Sequence, residues 1–250
     1  MDQQVAVVTG AAGGLGSSSA RELIRKGWRV ALTDSSAEIL SAVARELQAP
    51  SADVLTRVGD VRDPESIDVL VADVLEQWGR IDGLVHCAGG DLGLSRGWHP
   101  VWEMPGDIWQ DHLDINLTGT LNWVRAVSRP MMERRSGQML LVSSGTALRP
   151  GRALAAYAAS KAGMIGLMRA AARDLGEYGV QVNVIFPGLT PHPHHWADVD
   201  AAEVPHWDAY RADTLLGKLS SPQTFAEYVG FLLSVTTMSG QVLNFDSRLI

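Results

Sequence analysis

Apolar positions fall into short unbroken runs, separated by longer stretches of helical period. Val5-Ala6-Val7-Val8-Thr9 is apolar up to its last residue. A run with no polar alternation reads as a strand covered on both faces, as in a parallel sheet. Similar runs predict strands at 29–33, 53–58, 81–87, 138–143, 181–186 and 241–245. Between them, a helical pattern runs through Lys26 to a stop at Gly27, and helices fit 37–47, 64–78, 153–178 and 222–234. Residues 107–135 read as a long, interrupted helix, and 189–217 as an irregular segment with several Pro and His. Strands that alternate with helices build a parallel α/β sheet with right-handed crossovers. No linker, repeat or low-complexity tract divides the chain, so residues 1–250 form one domain, with 189–217 as a loop or lid.

Composition narrows the function classes. The 250 residues are 46% hydrophobic and 20% charged, with net charge -7. That balance is globular, and the acidic total argues against nucleic-acid or anionic-membrane partners. The single cysteine, Cys87, excludes an internal disulfide framework and a Cys-based zinc site. The chain has neither a signal-peptide pattern nor an apolar run of membrane-spanning length. The expected location is cytoplasmic.

The residues suited to chemistry follow the strands, where open α/β sheets bind ligands. Gly10, Gly14, Leu15 and Gly16 lie in a Gly-rich turn between the first strand and first helix. Such a turn lets backbone N–H groups approach a pyrophosphate at a helix N-terminus. Asp34 ends the second strand and is followed by Ser35 and Ser36. Its carboxylate suits ribose hydroxyls and repels a 2′-phosphate, which favours NAD over NADP. Asp60 and Val61 end the third strand, where an adenine edge could be read or a helix capped. Ser144 follows a strand, and Tyr157 and Lys161 stand four apart on a helix. That spacing stacks their side chains, and an ammonium beside a phenol lowers its pKa. Alone, this pair describes many amphipathic helices; beside a nucleotide turn it describes a proton donor.

With these pieces in order, the chain resembles the short-chain dehydrogenase/reductase family over nearly its whole length. Thr9-Gly10, Gly14 and Gly16 match its cofactor turn; Tyr157 and Lys161 match its active-site signature, with Ser144 at the expected distance before. Asn116 matches its helix asparagine, 183–188 its nicotinamide-flanking segment and 239–246 its last strand. The resemblance implies a Rossmann-type doubly wound sheet of about seven strands, in the order 3-2-1-4-5-6-7. It implies Tyr157 as general acid/base, Lys161 as ribose anchor, Ser144 orienting the substrate oxygen and Asn116 holding a relay water. Ala88, Gly89, Pro187, Gly188 and Thr190 would complete the NAD site. The implied activity is NAD-dependent oxidation of a secondary alcohol, or ketone reduction in reverse. Other readings are a 3-oxoacyl thioester reductase and a catalytically silent NAD-binding module. The implied assembly is a homotetramer or dimer, pairing the helices 107–135 and 153–178 through faces such as Ala158, Ala162 and Gly166.

The chain departs from the family pattern at three places. His86-Cys87 stands where Asn-Asn is usual, His192 where a Thr is usual, and Ser247-Arg248 follows Asp246 where a Gly pair is usual. Thr190 could take over from the missing Thr. Cys87 reads as a small packing residue. Four of the eight Trp, at 98, 102, 196 and 207, fall in the two loops expected to wall the substrate. They suit a bulky apolar or cyclic substrate, and equally an oligomer interface. Arg149 and Arg152 read as solvent-exposed or as partners of a substrate carboxylate. His192, His194 and His195 lack the scaffold and fourth ligand of a zinc site, so no metal is expected.

Overall fold

A computed structural model describes residues 3–190, 211–245 and 247–248. Seven strands form one sheet in the order β3-β2-β1-β4-β5-β6-β7. They are β1 (Val5–Thr9), β2 (Arg29–Asp34), β3 (Val54–Val58), β4 (Gly83–His86), β5 (Gly137–Val142), β6 (Val180–Phe186) and β7 (Val242–Asn244). Every pairing is parallel. The helices are α1 (Gly14–Arg25), α2 (Ala37–Glu46), α3 (Pro64–Trp78), α4 (Gly93–Arg96), α5 (Gly106–Leu113), α6 (Gly119–Arg134), α7 (Ala155–Gly176) and α8 (Pro222–Leu232). Among the described residues, no helix is long and apolar enough to cross a membrane.

The unbroken apolar runs have a direct cause. Successive strand residues point to opposite faces. Val5 and Val7 enter a core with Ile67, Trp123 and Met164, from α3, α6 and α7. Ala6 and Val8 enter a second core with Leu23, Leu40 and Phe225, from α1, α2 and α8. Both faces of β1 are dry, so no position along it can be polar until Thr9.

Helix ends follow local chemistry. Asp63 caps α3 by accepting from the Glu65 N–H at 3.1 Å, with Pro64 in the first turn and Gly79 in the left-handed region at its end. Ser221 caps α8 through the Thr224 N–H at 3.0 Å. Two boundaries differ from the sequence expectation for identifiable reasons. Residues 107–135 divide into α5, a π-helical turn over Asp114–Thr118, and α6. The turn carries Asn116. The helix expected from 153 starts at Ala155, because Ala153 sits at φ +60 and cannot continue a right-handed helix.

A left-handed Ala lacks the freedom of glycine and carries strain of about 1 kcal/mol. Ala153→Gly is expected to stabilise the fold by about 1 kcal/mol, read as a higher urea midpoint at unchanged slope. A lower midpoint would show that this turn is not strained.

Candidate active site

The strand ends Thr9, Asp34, His86, Val142 and Phe186 all open onto one edge of the sheet. Along it runs a cleft of about 300 Å³, lined among others by Gly10, Gly13, Asp34, Asp60, Ala88 and Gly89. Its first wall is the β1–α1 turn. Gly10 adopts φ +62, and a Cβ there would lie 2.6 Å from the Ala88 nitrogen. A Cβ at Gly16 would lie 2.2 Å from the Gly10 carbonyl oxygen. Both positions therefore require glycine. Gly13 donates to the Gly10 carbonyl at 3.0 Å and Ser17 to the Gly13 carbonyl at 2.8 Å. Gly14, Leu15 and Gly16 thus form the first turn of α1, whose N–H groups have no intrahelical acceptor. This cradle of bare backbone donors at a helix N-terminus fits the pyrophosphate of a dinucleotide.

Asp34 is fixed at the second wall. Its Oδ2 accepts from the Ala12 N–H at 3.0 Å and its Oδ1 from the Ser36 N–H at 3.1 Å. The cap of α2 is Ser36, not Asp34, so the carboxylate keeps lone pairs facing the cleft. Asp60 is already engaged: Arg62 donates from its backbone N–H at 2.8 Å and from Nε at 3.0 Å to each oxygen. That guanidinium holds the Asp60 carboxyl below the usual carboxylate range. Arg62 lines the cleft beside it, and sequence reasoning missed it. Val61 packs under α6, where a Cβ at Gly119 would meet its Cγ2 at 2.6 Å.

At the other end, β4, α5–α6 and α7 converge. Asn116 is fully buried. Its Nδ2 donates to the Gly90 carbonyl at 3.0 Å and to Ser160 Oγ at 3.2 Å, while its Oδ1 accepts from the Gly90 N–H at 2.9 Å. Gly89, at φ +118, leaves no room for a Cβ, which would sit 2.4 Å from Asn116 Oδ1. Lys161 is 3% exposed, with Nζ donating to the Val142 carbonyl at 3.0 Å. The same Nζ lies 5.9 Å from the centre of the Tyr157 ring. Ser144, beyond β5, accepts from the Thr146 N–H at 3.1 Å and hydrogen-bonds the Tyr157 phenol. Past β6, Gly188 is left-handed at φ +73, and the Thr190 hydroxyl donates to the Pro187 and Gly188 carbonyls, each at 3.4 Å. Ser144 and Lys161 thus lie beside Tyr157, and Asn116 is joined to the same helix through Ser160.

One electrostatic expectation is reversed. The ammonium does not lower the phenol. Burial pushes Tyr157 up to about 12, opposed by the Ser144 hydrogen bond and reinforced by the charge of Asp91. Lys161 Nζ lies over the ring, and burial pushes the amine itself down to about 8. Cys87, at the cleft floor, is pushed up to about 12 by burial, which makes it a poor nucleophile.

Comparison with known proteins agrees with this geometry. The family model described as short chain dehydrogenase matches residues 4–202. The chain belongs to the short-chain dehydrogenase/reductase family. It is similar to 2,3-dihydro-2,3-dihydroxybenzoate dehydrogenase of Bacillus subtilis (strain 168), at 33% identity over 240 residues, 94% of this chain and 90% of that protein. It is 36% identical over 187 residues to a 3-oxoacyl-[acyl-carrier-protein] reductase of Staphylococcus aureus, covering 74% of this chain and 73% of the other. Among solved structures it superposes on NAD+-bound xylitol dehydrogenase with a TM-score of 0.87 at 28% identity, covering 98% of each chain. An actinorhodin polyketide ketoreductase with NADPH gives 0.87 at 30% identity, covering 99% of this chain and 98% of that one. As a short-chain dehydrogenase/reductase, the protein is an oxidoreductase of a family that uses nicotinamide cofactors.

The remaining expectations divide by location. Trp98 and Trp102 are 43% and 77% exposed, and neither is a buried lining residue. Arg152 is exposed, and Arg149 pairs with Asp213 at 3.0 Å. His192, His194, His195, Trp196, Trp207 and Asp246 lie outside the described residues. Among the described residues, no group of three or more His, Cys, Asp or Glu could hold a metal ion.

His86 gives this site a pH signature. The ring is buried, its Nδ1 lies 2.8 Å from Thr9 Oγ1, and burial with the nearby Lys161 charge pushes its pKa from 6.5 down to about 3. The native state keeps it neutral while the unfolded chain takes up a proton. The stability involved is fully present above pH 6.5 and is lost as pH falls toward 3. Between pH 7 and 5, unfolding by urea should show wild type losing about 2 kcal/mol more than His86→Asn. Equal losses would mean that His86 is protonated without cost.

Proposed function

We propose that this chain is an NAD(H)-dependent dehydrogenase of secondary alcohols, acting as a ketone reductase in reverse. The observation that carries the reading is a shared sheet edge: a glycine turn and Asp34 line the cleft there, and Lys161 is held on the last residue of β5, with Tyr157 and Ser144 beside it. Gly10, Gly14, Leu15 and Gly16 would hold the pyrophosphate, Asp34 the adenosine ribose, and Asp60 and Val61 the adenine. Ala88, Gly89, Pro187, Gly188 and Thr190 would flank the nicotinamide half. When bound, the nicotinamide supplies the hydride acceptor or donor. Tyr157 moves the proton to or from the substrate oxygen, and Ser144 orients that oxygen. Lys161 anchors the ribose, and Asn116 holds a water for proton relay. Burial that raises the phenol keeps it protonated at neutral pH, the state needed to donate to a ketone oxygen.

Similarity to a dehydrogenase of a cyclic dihydrodiol supports a cyclic secondary alcohol as substrate. A carrier-linked thioester suits this face less well. Arg96 is held by Asp107 and Asp111, and Arg149 by Asp213, so these cations are matched by acids before any acidic carrier arrives. Ala162 and Gly166 are exposed on α7, which favours pairing of that helix across a dimer or tetramer axis. Asp34, Ser35 and Ser36 favour NAD, and the single cysteine suits a reducing cytoplasm.

Tyr157→Phe should lower kcat by about 10³-fold while cofactor affinity stays near wild type. Wild-type turnover would remove Tyr157 from the mechanism. NADH should bind at least about tenfold more tightly than NADPH, with Asp34→Ala erasing the difference. Titration of both cofactors against both proteins checks this, and tighter NADPH binding by wild type would overturn the NAD assignment.

A further inference from the structure

A polar network built on buried His112, beside Tyr157, has no part in the roles assigned above. It joins α5 to the segment that follows β4. His112 stands one turn before Asn116 and is 3% exposed. Its Nδ1 donates to the Ile108 carbonyl at 2.8 Å. Its Nε2 accepts from the Leu92 N–H at 3.1 Å. The ring therefore bridges the Ile108 carbonyl and the Leu92 N–H through its two nitrogens. The imidazole is centred 6.3 Å from the Tyr157 ring, tilted at 59°.

Asp91 is the second half of the network. Its Oδ1 accepts from the Gly93 N–H at 2.9 Å and lies 3.3 Å from His112 Nε2. Its Oδ2 accepts from Trp98 Nε1 at 2.9 Å. The Trp98 ring then covers Gly93, where a Cβ would come within 2.4 Å of it. Gly93 and Trp98 are therefore gathered around one carboxylate, and the adjoining Leu92 N–H ties that cluster to α5 through one imidazole.

Among the described residues, the backbone of this segment bonds mostly to itself. Ser95 and Arg96 donate to the Leu92 carbonyl at 3.1 and 2.9 Å, and Gly97 to the Gly93 carbonyl at 2.9 Å, all within the segment. Its other ties to α5 are the Arg96 pairs with Asp107 and Asp111, which are exposed. Exposed ion pairs hold weakly and are screened by salt. A buried N–H that loses its acceptor is costly by comparison. Resting on the dehydrogenase reading of Tyr157, we propose that His112 is a positioning residue. Its imidazole latches the segment 91–98 to α5, and the latch sets that segment as a fixed wall of the substrate site beside Tyr157. Asp91 adds an electrostatic link, since its charge opposes ionisation of the same phenol.

Two variants separate this role from simple packing. His112→Leu keeps bulk and removes both hydrogen bonds. His112→Gln can present Oε1 to the Leu92 N–H. Hydrogen exchange over 91–98, cofactor affinity, and kcat and KM for a secondary alcohol are read on both. His112→Leu should speed exchange in the segment by roughly tenfold and raise KM by roughly tenfold, with cofactor affinity near wild type. His112→Gln should recover part of both effects. Unchanged exchange in the Leu variant, or a Gln variant no better than Leu, would overturn the latch. If His112→Leu does not fold, the Gln variant decides alone: exchange as slow as wild type supports the latch, and exchange raised tenfold overturns it. Exchange judges the latch without reference to turnover, whereas full activity of Tyr157→Phe would sink the dehydrogenase reading and leave the exchange result standing.

Discussion

One buried side chain ties the turn after β4 to the helix that carries Tyr157. Asn116 donates to the Gly90 carbonyl and Ser160 Oγ, and accepts from the Gly90 N–H. It therefore stitches the turn after β4 to the helix that carries Tyr157 and Lys161. Ser160 in turn donates to the Tyr157 carbonyl at 2.8 Å. The tie demands a glycine at 89, because any Cβ there would occupy the place of Asn116 Oδ1. It also demands the π-helical turn, which presents Asn116 where a continuous helix would present a different face. Remove this side chain and the half-buried carbonyl and N–H of Gly90 lose their partners at once.

The sheet explains why so many polar groups gather at one edge. Both faces of β1 and β4 are closed by helices, so hydrogen-bonding side chains are excluded there until the strands end. At that edge the backbone turns, glycines bring chains within contact, and side-chain oxygens meet orphan N–H groups. Thr9 shows the change within one residue: it is the last of β1, and its hydroxyl accepts from the Ala88 N–H at 3.2 Å. The glycine-rich turn and the Ser144 side chain share an edge because the strands that precede them end together.

The parts legible in the sequence were those with a local cause. The unbroken run 5–9, the Pro64 start and Gly79 stop of α3, and the glycines of the β1–α1 turn are written in consecutive residues. Strand order followed from the family resemblance rather than from periodicity, which says nothing about which strands pair. The π-helical turn was visible only as an interruption, since the extra residue in the turn answers to contacts with Gly90 and Ser160 across the fold. Ala153 hid a left-handed residue because alanine ordinarily signals helix. The direction of the Tyr157 shift was misread from spacing alone. Four residues place Lys161 over the ring, while burial of both groups depends on everything packed around them. His112 and Asp91 left one signal, a histidine one turn before Asn116, and their meeting depends on a loop whose path no local pattern specifies. Arg62 lay two residues beyond Asp60, close enough to claim the carboxylate that was expected to face the adenine.

If one tie holds the site together, breaking it must cost both stability and turnover. The direct measurement is Asn116→Ala, assayed for urea unfolding and for alcohol-dependent reduction of NAD+. Loss of about 3 kcal/mol of stability and of more than about 100-fold in kcat is the expected result. Wild-type turnover in the variant would contradict the claim that Asn116 joins the turn after β4 to the catalytic helix.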